Sequence, residues 1–174
     1  MAKLIRNRSV VPDSWQLLKA DAAGNLPAVP DRGDVIVPLR AWIAGREAFA
    51  ARQGRTAVWL DGPEGPEAIA VDLPRLPLVA VNFASFGDGR GFSTARLLRE
   101  RYGYRGEVRA IGQVVRDWLL FMERCGFDSF LLREDEDPQN ALQAFAELPD
   151  AYQASFAEPQ PLFRRRLAAM QGKT

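Results

Sequence analysis

The stretch Leu78-Val-Ala-Val-Asn-Phe83, continued by Ala-Ser-Phe-Gly-Asp88-Gly-Arg90-Gly-Phe-Ser93, decides the fold class. A run apolar at all but Asn82 suits a buried strand, and it ends in a glycine-rich turn carrying one acid and one arginine. Directly behind it, Thr94 to Tyr102 sets Ala95, Leu98 and Tyr102 at helical spacing, with Ser93 placed to cap the first turn and Gly103 to end the last. The unit reads strand, loop, helix. In open α/β proteins such a junction, at the carboxyl end of a strand, is where ligands sit, because the helix presents unpaired N–H groups there.

The same alternation recurs on both sides. Val35-Ile36-Val37 is a short β-branched strand that leads past Pro38 into a helix over Ala41–Gln53, with Trp42, Ile43, Phe49 and Ala50 on one face and Gly54 closing it. Thr56–Leu60 is a strand ended by Asp61-Gly62-Pro63, and Glu107–Ile111 alternates as a strand does. Gln113–Cys125 places Val114, Val115, Trp118, Leu119, Met122 and Cys125 on one broad helical face before Gly126. Phe127–Leu132 is a further strand, and Asp137-Pro138 caps a helix over Gln139–Leu148 with Leu142, Phe145 and Leu148 turned inward.

Strand and helix in alternation predict an α/β fold with a mainly parallel sheet of about four or five strands flanked by helices. A flavodoxin-like doubly wound sheet is the first choice. A partial (β/α) barrel is the second, because a complete eight-fold barrel takes about 250 residues and the chain has 174. The division expected is an N-terminal arm at 1–34, an α/β domain at 35–148 and a C-terminal tail at 149–174. In the arm, Leu4–Arg8 and Trp15–Leu18 are set to pair around Pro12-Asp13, and Ala23-Gly24 is a further turn. Such arms pack on a neighbouring subunit or on their own domain, so a homo-oligomer is compatible with this layout. In the tail, Arg164–Met170 has room for a final turn.

Composition excludes several chemistries. An apolar share of 47% with 26% charged residues is that of a globular protein, and a net charge of +1 lacks the positive excess of a nucleic-acid-binding domain. No run approaches the roughly 20 apolar residues of a membrane helix, and the N-terminus lacks a signal-peptide core, so a cytoplasmic protein is expected. One cysteine, Cys125, allows no internal disulfide and no Cys-x-x-Cys pair. The absence of histidine removes Ser-His-Asp catalysis and the usual zinc sites, and no metal site is expected. Cys125, on an apolar helix face, reads as a buried thiol.

Asp88-Gly89-Arg90-Gly91 has the composition of an anion loop: glycines admit a ligand to backbone N–H groups, and the arginine offers a planar fork for an oxyanion. It lacks a Walker lysine-serine pair. Thr94 stands where a Gly-x-Gly-x-x-Gly fingerprint needs its third glycine, so no motif indicates a nucleotide or any other cofactor. The competing reading is a tight turn in which Asp88 pairs with Arg90. Arg109, one strand on, approaches the loop if the two strands are neighbours; otherwise it forms a strand-end ion pair. The candidate ligand set is therefore Asp88, Gly89, Arg90, Gly91, Ser93 and Arg109, with Arg116 and Asp117 as outer partners or as a solvated helix face. Asp128, at a helix-to-strand turn, reads as structural.

Three linked motifs carry a resemblance. They are Phe86-Gly-Asp88-Gly-Arg90-Gly-Phe-Ser93-x-Ala95-x-Leu97-Leu98-Arg99, Gly103-Tyr104-x-Gly106-Glu107-x-Arg109-Ala110-x-Gly112, and Arg124-Cys-Gly126-Phe-Asp128-Ser-Phe130. Together the run resembles a bacterial family of unknown function, domain of unknown function 934, encoded near sulfite reductase and labelled as oxidoreductases of sulfite reduction. The resemblance implies an accessory protein of assimilatory sulfite reduction, with the sulfite reductase haemoprotein as partner. Any flavin or nicotinamide would bind without a recognisable motif. The chain departs from the family pattern at Gln113 and Trp118, where an Asp and a Gln are usual, while Asp117 matches. Two other readings stay open: an enzyme or sensor for a phosphorylated small molecule, with Asp88 as acid or base, and a non-catalytic scaffold.

Overall fold

The computed structural model describes residues 3–21, 25–148 and 150–171. Its centre is one eight-stranded sheet. The strands are β1 (Leu4–Arg6), β2 (Ser9–Val11), β3 (Trp15–Leu17), β4 (Asp34–Pro38), β5 (Thr56–Leu60), β6 (Leu78–Phe83), β7 (Glu107–Gly112) and β8 (Ser129–Leu131). They lie in the order β2-β1-β8-β7-β6-β5-β4-β3. From β3 to β8 every neighbour is parallel, whereas β1 runs antiparallel to both β8 and β2. The sheet is thus larger than the four or five strands expected, and mixed rather than wholly parallel.

The order also overturns the flavodoxin-like choice. Strands β3 to β8 follow one another across the sheet with no reversal, so each crossover steps the same way. Crossovers of one hand stepping in one direction put all their helices on the same face. The packing agrees. The larger core joins Val35, Val37, Val58, Val79, Val81 and Val108 of the strands to Leu39 and Trp42 of α1 (Leu39–Ala50), Ala95 and Leu98 of α2 (Arg90–Glu100), and Leu119 and Met122 of α3 (Leu119–Cys125). The opposite face has its own smaller core of Ile36, Ala57, Leu78, Ala80 and Ile111, joined by Trp15, Leu17, Trp59 and Leu131, all from strands. A sheet that buries one face against itself has to curl.

Chain geometry demands the same. The outermost strands, β2 and β3, are joined by Pro12-Asp13-Ser14 alone. In a flat sheet, eight strands spaced ~4.8 Å apart would hold the edges roughly 34 Å apart. Four residue steps from Val11 to Trp15 reach about 14 Å at most. The sheet therefore curls, in the direction of the second choice, a partial (β/α) barrel, with β1 paired to β8 and β2 tied to β3 by the short link.

Several local expectations change for definable reasons. The N-terminal hairpin turns at Asn7-Arg8, both at positive φ, rather than around Pro12, and Trp15–Leu17 pairs in parallel with β4. The turn expected at Ala23-Gly24 lies outside the described residues. The long helix over Gln113–Cys125 is shorter: Gly112 turns the chain at φ +90°, the Val114 carbonyl accepts from Arg133 N, a 3₁₀ turn spans Arg116–Trp118, and α3 begins only at Leu119. Gly126, at φ +109°, closes it as expected. Asp137 accepts from Gln139 N and Asn140 N to cap α4 (Pro138–Leu142), but the helix tightens into a 3₁₀ turn and leaves Leu148 exposed. Ile43, assigned to the apolar face of α1, is also exposed. In the C-terminal segment, α5 (Leu162–Gln171) is a full helix. Among the described residues no helix is long and apolar enough to cross a membrane.

Buried Arg99 on α2 ties three separate segments together at the amino ends of the strands. Its Nε donates to Gly126 O at 2.9 Å, its Nη1 to Tyr104 O at 2.7 Å and Gly106 O at 2.8 Å, and its Nη2 pairs with Asp128. Asp128 in turn accepts Val108 N at 2.9 Å, and the Tyr104 hydroxyl donates to Leu76 O. Arg99→Met keeps the length of the apolar stem but leaves these carbonyls without their donor. A loss of about 2–4 kcal/mol is expected, read as a lower midpoint in urea denaturation.

Candidate functional site

The Asp88 loop opens from the carboxyl end of β6, and its first feature is self-pairing. Arg90 Nε and Nη2 donate to the two Asp88 oxygens at 2.9 and 2.7 Å, and Arg90 N donates to Asp88 at 3.1 Å. This bidentate pair is the tight-turn alternative. The adjacent guanidinium holds the Asp88 carboxyl down at about 2. α2 starts at Arg90 with Gly89 as its cap, so Ser93 lies inside the first turn and does not cap it. Gly91 has a packing reason: a Cβ there would lie 2.7 Å from Phe83 Cζ, so only glycine lets α2 approach β6 this closely.

Arg109 does not join this loop. β6 and β7 are indeed neighbours, paired Ala80↔Arg109 and Phe83↔Gly112, but Arg109 projects onto the strand-only face three residues below the end of β7. There it is 1% exposed. Its Nε and Nη2 donate to Glu107 Oε1 at 2.9 and 2.8 Å, and its Nη1 donates to Asp13 at 2.9 Å. Ser129 Oγ donates to the same Glu107 oxygen at 2.6 Å. With both carboxylates satisfied by it, this guanidinium is a structural group of the sheet interior. Arg116 and Asp117 are placed elsewhere too: Arg116 pairs with Glu147 and lies 3.5 Å from Asp117, whose side chain is 82% exposed.

Trp118 and Gln113 have contacts of their own. Trp118 stacks on Phe86 of the loop at 4.6 Å and meets Phe83 and Phe92, forming an aromatic bracket behind the Asp88 turn. Gln113 accepts from Arg133.

What the loop does adjoin is a cavity unnoticed in the sequence. Carboxyl ends of β3 to β7 frame a hollow of about 390 Å³ lined by Lys19, Arg40, Asp61, Glu64 and Asn82, with Pro38, Trp59 and Ile111 supplying apolar surface. This is the mouth at which barrel-like α/β folds carry their sites. Asp61 anchors it: its Oδ1 accepts from Gly62 N at 2.9 Å and Asn82 Nδ2 at 3.0 Å, while Asp61 N donates to Glu64 at 2.7 Å. Trp59 is fixed by its indole N–H donating to Leu18 O at 3.0 Å. The Asp88–Arg90 pair leans on this turn, since a Cβ at Gly62 would lie 2.5 Å from Asp88 Oδ2 and 2.9 Å from Arg90 Nη2. Apart from Glu64, four positions past β5, these residues stand one or two positions past a strand or at its last residues, a signal available only once the strand order is known.

Burial raises the Cys125 thiol above its ordinary range, as suits a half-buried, unreactive sulfur. Among the described residues no group of three or more His, Cys, Asp and Glu could hold a metal ion.

Because the folded-state value of Asp88 lies below its unfolded one, the pair is intact at neutral pH and is lost only as pH falls towards 2. A carboxyl-carbon NMR titration is expected to give that low midpoint in the native protein and a return to the ordinary value near ~3.9 in Arg90→Ala.

Among curated proteins and among solved structures, none matches this chain. The model of a bacterial protein family of unknown function, DUF934, matches residues 57–163, which run from β5 through the loop, the cavity's acidic side and the Arg99 knot into α5. With more than half of its length matched, the chain belongs to that bacterial family of unknown function.

Proposed function

We propose that this protein is a cytoplasmic accessory of assimilatory sulfite reduction, working beside the sulfite reductase haemoprotein, and that its Asp88–Ser93 loop receives a small anion. The family resemblance supplies the pathway. The observation that carries the site is the state of Arg90: its side chain is 60% exposed and its bidentate partner is Asp88, two residues away in the same turn.

An intraloop pair of this kind is readily exchanged. Surface ion pairs contribute roughly 0–1 kcal/mol, so an oxyanion that reproduces the two parallel N–H···O bonds displaces Asp88 at little cost. The first N–H groups of α2, an eleven-residue helix, lie beside the guanidinium and add to the attraction. A redox role would bring a flavin or nicotinamide, and visible absorbance of the protein as purified reads a bound flavin.

Sulfite or sulfate is expected to raise the melting temperature of the native protein. Arg90→Ala should abolish that shift, and Asp88→Asn should enlarge it by removing the internal competitor. A shift produced equally by phosphate and phosphorylated sugars would favour the sensor reading; the same shift persisting in Arg90→Ala would place anion binding elsewhere.

The partner is tested separately. Tagged protein should retain the sulfite reductase haemoprotein from a native extract, and a deletion strain should grow poorly on sulfate as sole sulfur source while growing normally on cysteine. Absence of both effects would end the sulfite reading.

A further inference from the structure

α5 turns its apolar side away from the protein. Its sequence, Leu-Phe-Arg-Arg-Arg-Leu-Ala-Ala-Met-Gln, sets Phe163, Leu167 and Met170 at i, i+4 and i+7, one stripe of the helix. In a globular protein such a stripe packs inward, yet these three side chains are 48%, 54% and 72% exposed and no residue of α5 is buried. The opposite side is the one tied down. Arg165 stands two positions after Phe163 and two before Leu167, across the helix from the stripe. It donates from Nη1 to Asp150 at 3.3 Å and from Nη2 to Ala151 O at 3.4 Å, while Leu162 N donates to Tyr152 O at 3.1 Å.

The other two arginines border the stripe. At about 100° per residue, Arg164 and Arg166 flank it on either side. Both are exposed, and the Arg164 guanidinium lies 5.9 Å from the centre of the Phe163 ring. The ten residues of α5 contain no acid, and Asp150 and Glu158 meet the helix from behind, through Arg165, at 3.3 and 3.9 Å. An occupant of this face must therefore be negative and apolar together. The same helix of a second copy does not qualify, because the two sets of arginines repel. A protein groove would need acids on both of its walls. A bilayer of anionic phospholipid contacts both flanks at once: arginines reach its headgroups along their apolar stems while Phe, Leu and Met enter the acyl boundary. At ten residues, about 15 Å, α5 lies along such a surface and does not cross it. We infer that α5 is an interfacial helix that docks this protein on an anionic phospholipid surface, with Phe163, Leu167 and Met170 inserted and Arg164 and Arg166 on the headgroups.

This inference makes no use of Arg90 or of sulfite. In the test, the full chain is sedimented with vesicles of phosphatidylcholine containing phosphatidylglycerol and with vesicles of phosphatidylcholine alone. Binding at low salt is expected to be about tenfold or more stronger on the anionic vesicles, and to fall as salt is raised. Leu167→Ser with Met170→Ser leaves the charge untouched, and Arg164→Gln with Arg166→Gln leaves the stripe untouched; each pair should weaken binding about tenfold or more. Because no side chain of α5 is buried, both double variants should keep the native urea midpoint. No binding to anionic vesicles, equal binding to both kinds, or binding unchanged in either double variant overturns the inference. So does a protein that ignores vesicles but loses the haemoprotein in Leu167→Ser with Met170→Ser, which would assign the face to a protein groove. Vesicle binding in the expected pattern by a protein that ignores sulfite and the haemoprotein upholds the inference while ending the sulfite reading.

Discussion

Three residues between the two edge strands constrain everything else. Pro12-Asp13-Ser14 must connect β2 to β3 across a sheet whose flat form would put those edges far out of reach, so the sheet curls and acquires an inside. Arg109 then latches the link from that inside by donating to Asp13. A guanidinium buried this deeply is sustained by its two carboxylate partners: Glu107 takes two of its N–H groups and Asp13 a third, and Asp13 also accepts from Trp15 N. The interior thus combines apolar residues, Ile36, Ala80 and Ile111, with the charged cluster around Arg109 that holds the seam.

The two ends of the strands divide the work. At the amino ends, Arg99 gathers Tyr104, Gly106, Gly126 and Asp128, so residues from all three sequence motifs meet in one hydrogen-bonded knot. At the carboxyl ends lie the Asp88 loop and the cavity of Lys19, Arg40, Asp61, Glu64 and Asn82. In α/β barrels the amino face serves stability and the carboxyl face function. Much of what makes the motifs recognisable is therefore folding chemistry, and only the Asp88–Ser93 part faces the mouth.

Between those ends, glycines set distances that the site inherits. Gly91 lets α2 pack on Phe83, which positions Arg90; Gly62 makes room for the Asp88–Arg90 pair against the Asp61 turn. Trp118 and Phe86 brace the loop from behind with an aromatic stack. Loop and cavity are consequently two parts of one rim, mechanically joined though chemically distinct.

The α/β class and strands β4 to β8 are legible in the sequence, because buried parallel strands write themselves as short apolar runs, and Asp137-Pro138 and Gly126 mark a helix start and a helix end through chemistry confined to a few residues. The family was legible too, since its motifs are local. Strand order was not: hydrophobic periodicity tells which face of a strand is buried, never which strand lies beside it. That hid the curl, the role of Trp15–Leu17 as an edge strand and the fate of Arg109, whose partner Asp13 is 96 residues away. It hid the cavity as well, because Lys19, Arg40, Asp61 and Asn82 share no motif and meet only when four strand ends are set side by side. Local spacing determined the elements and the loop, while the short link between the edges, a constraint on the whole chain, decided what surrounds them.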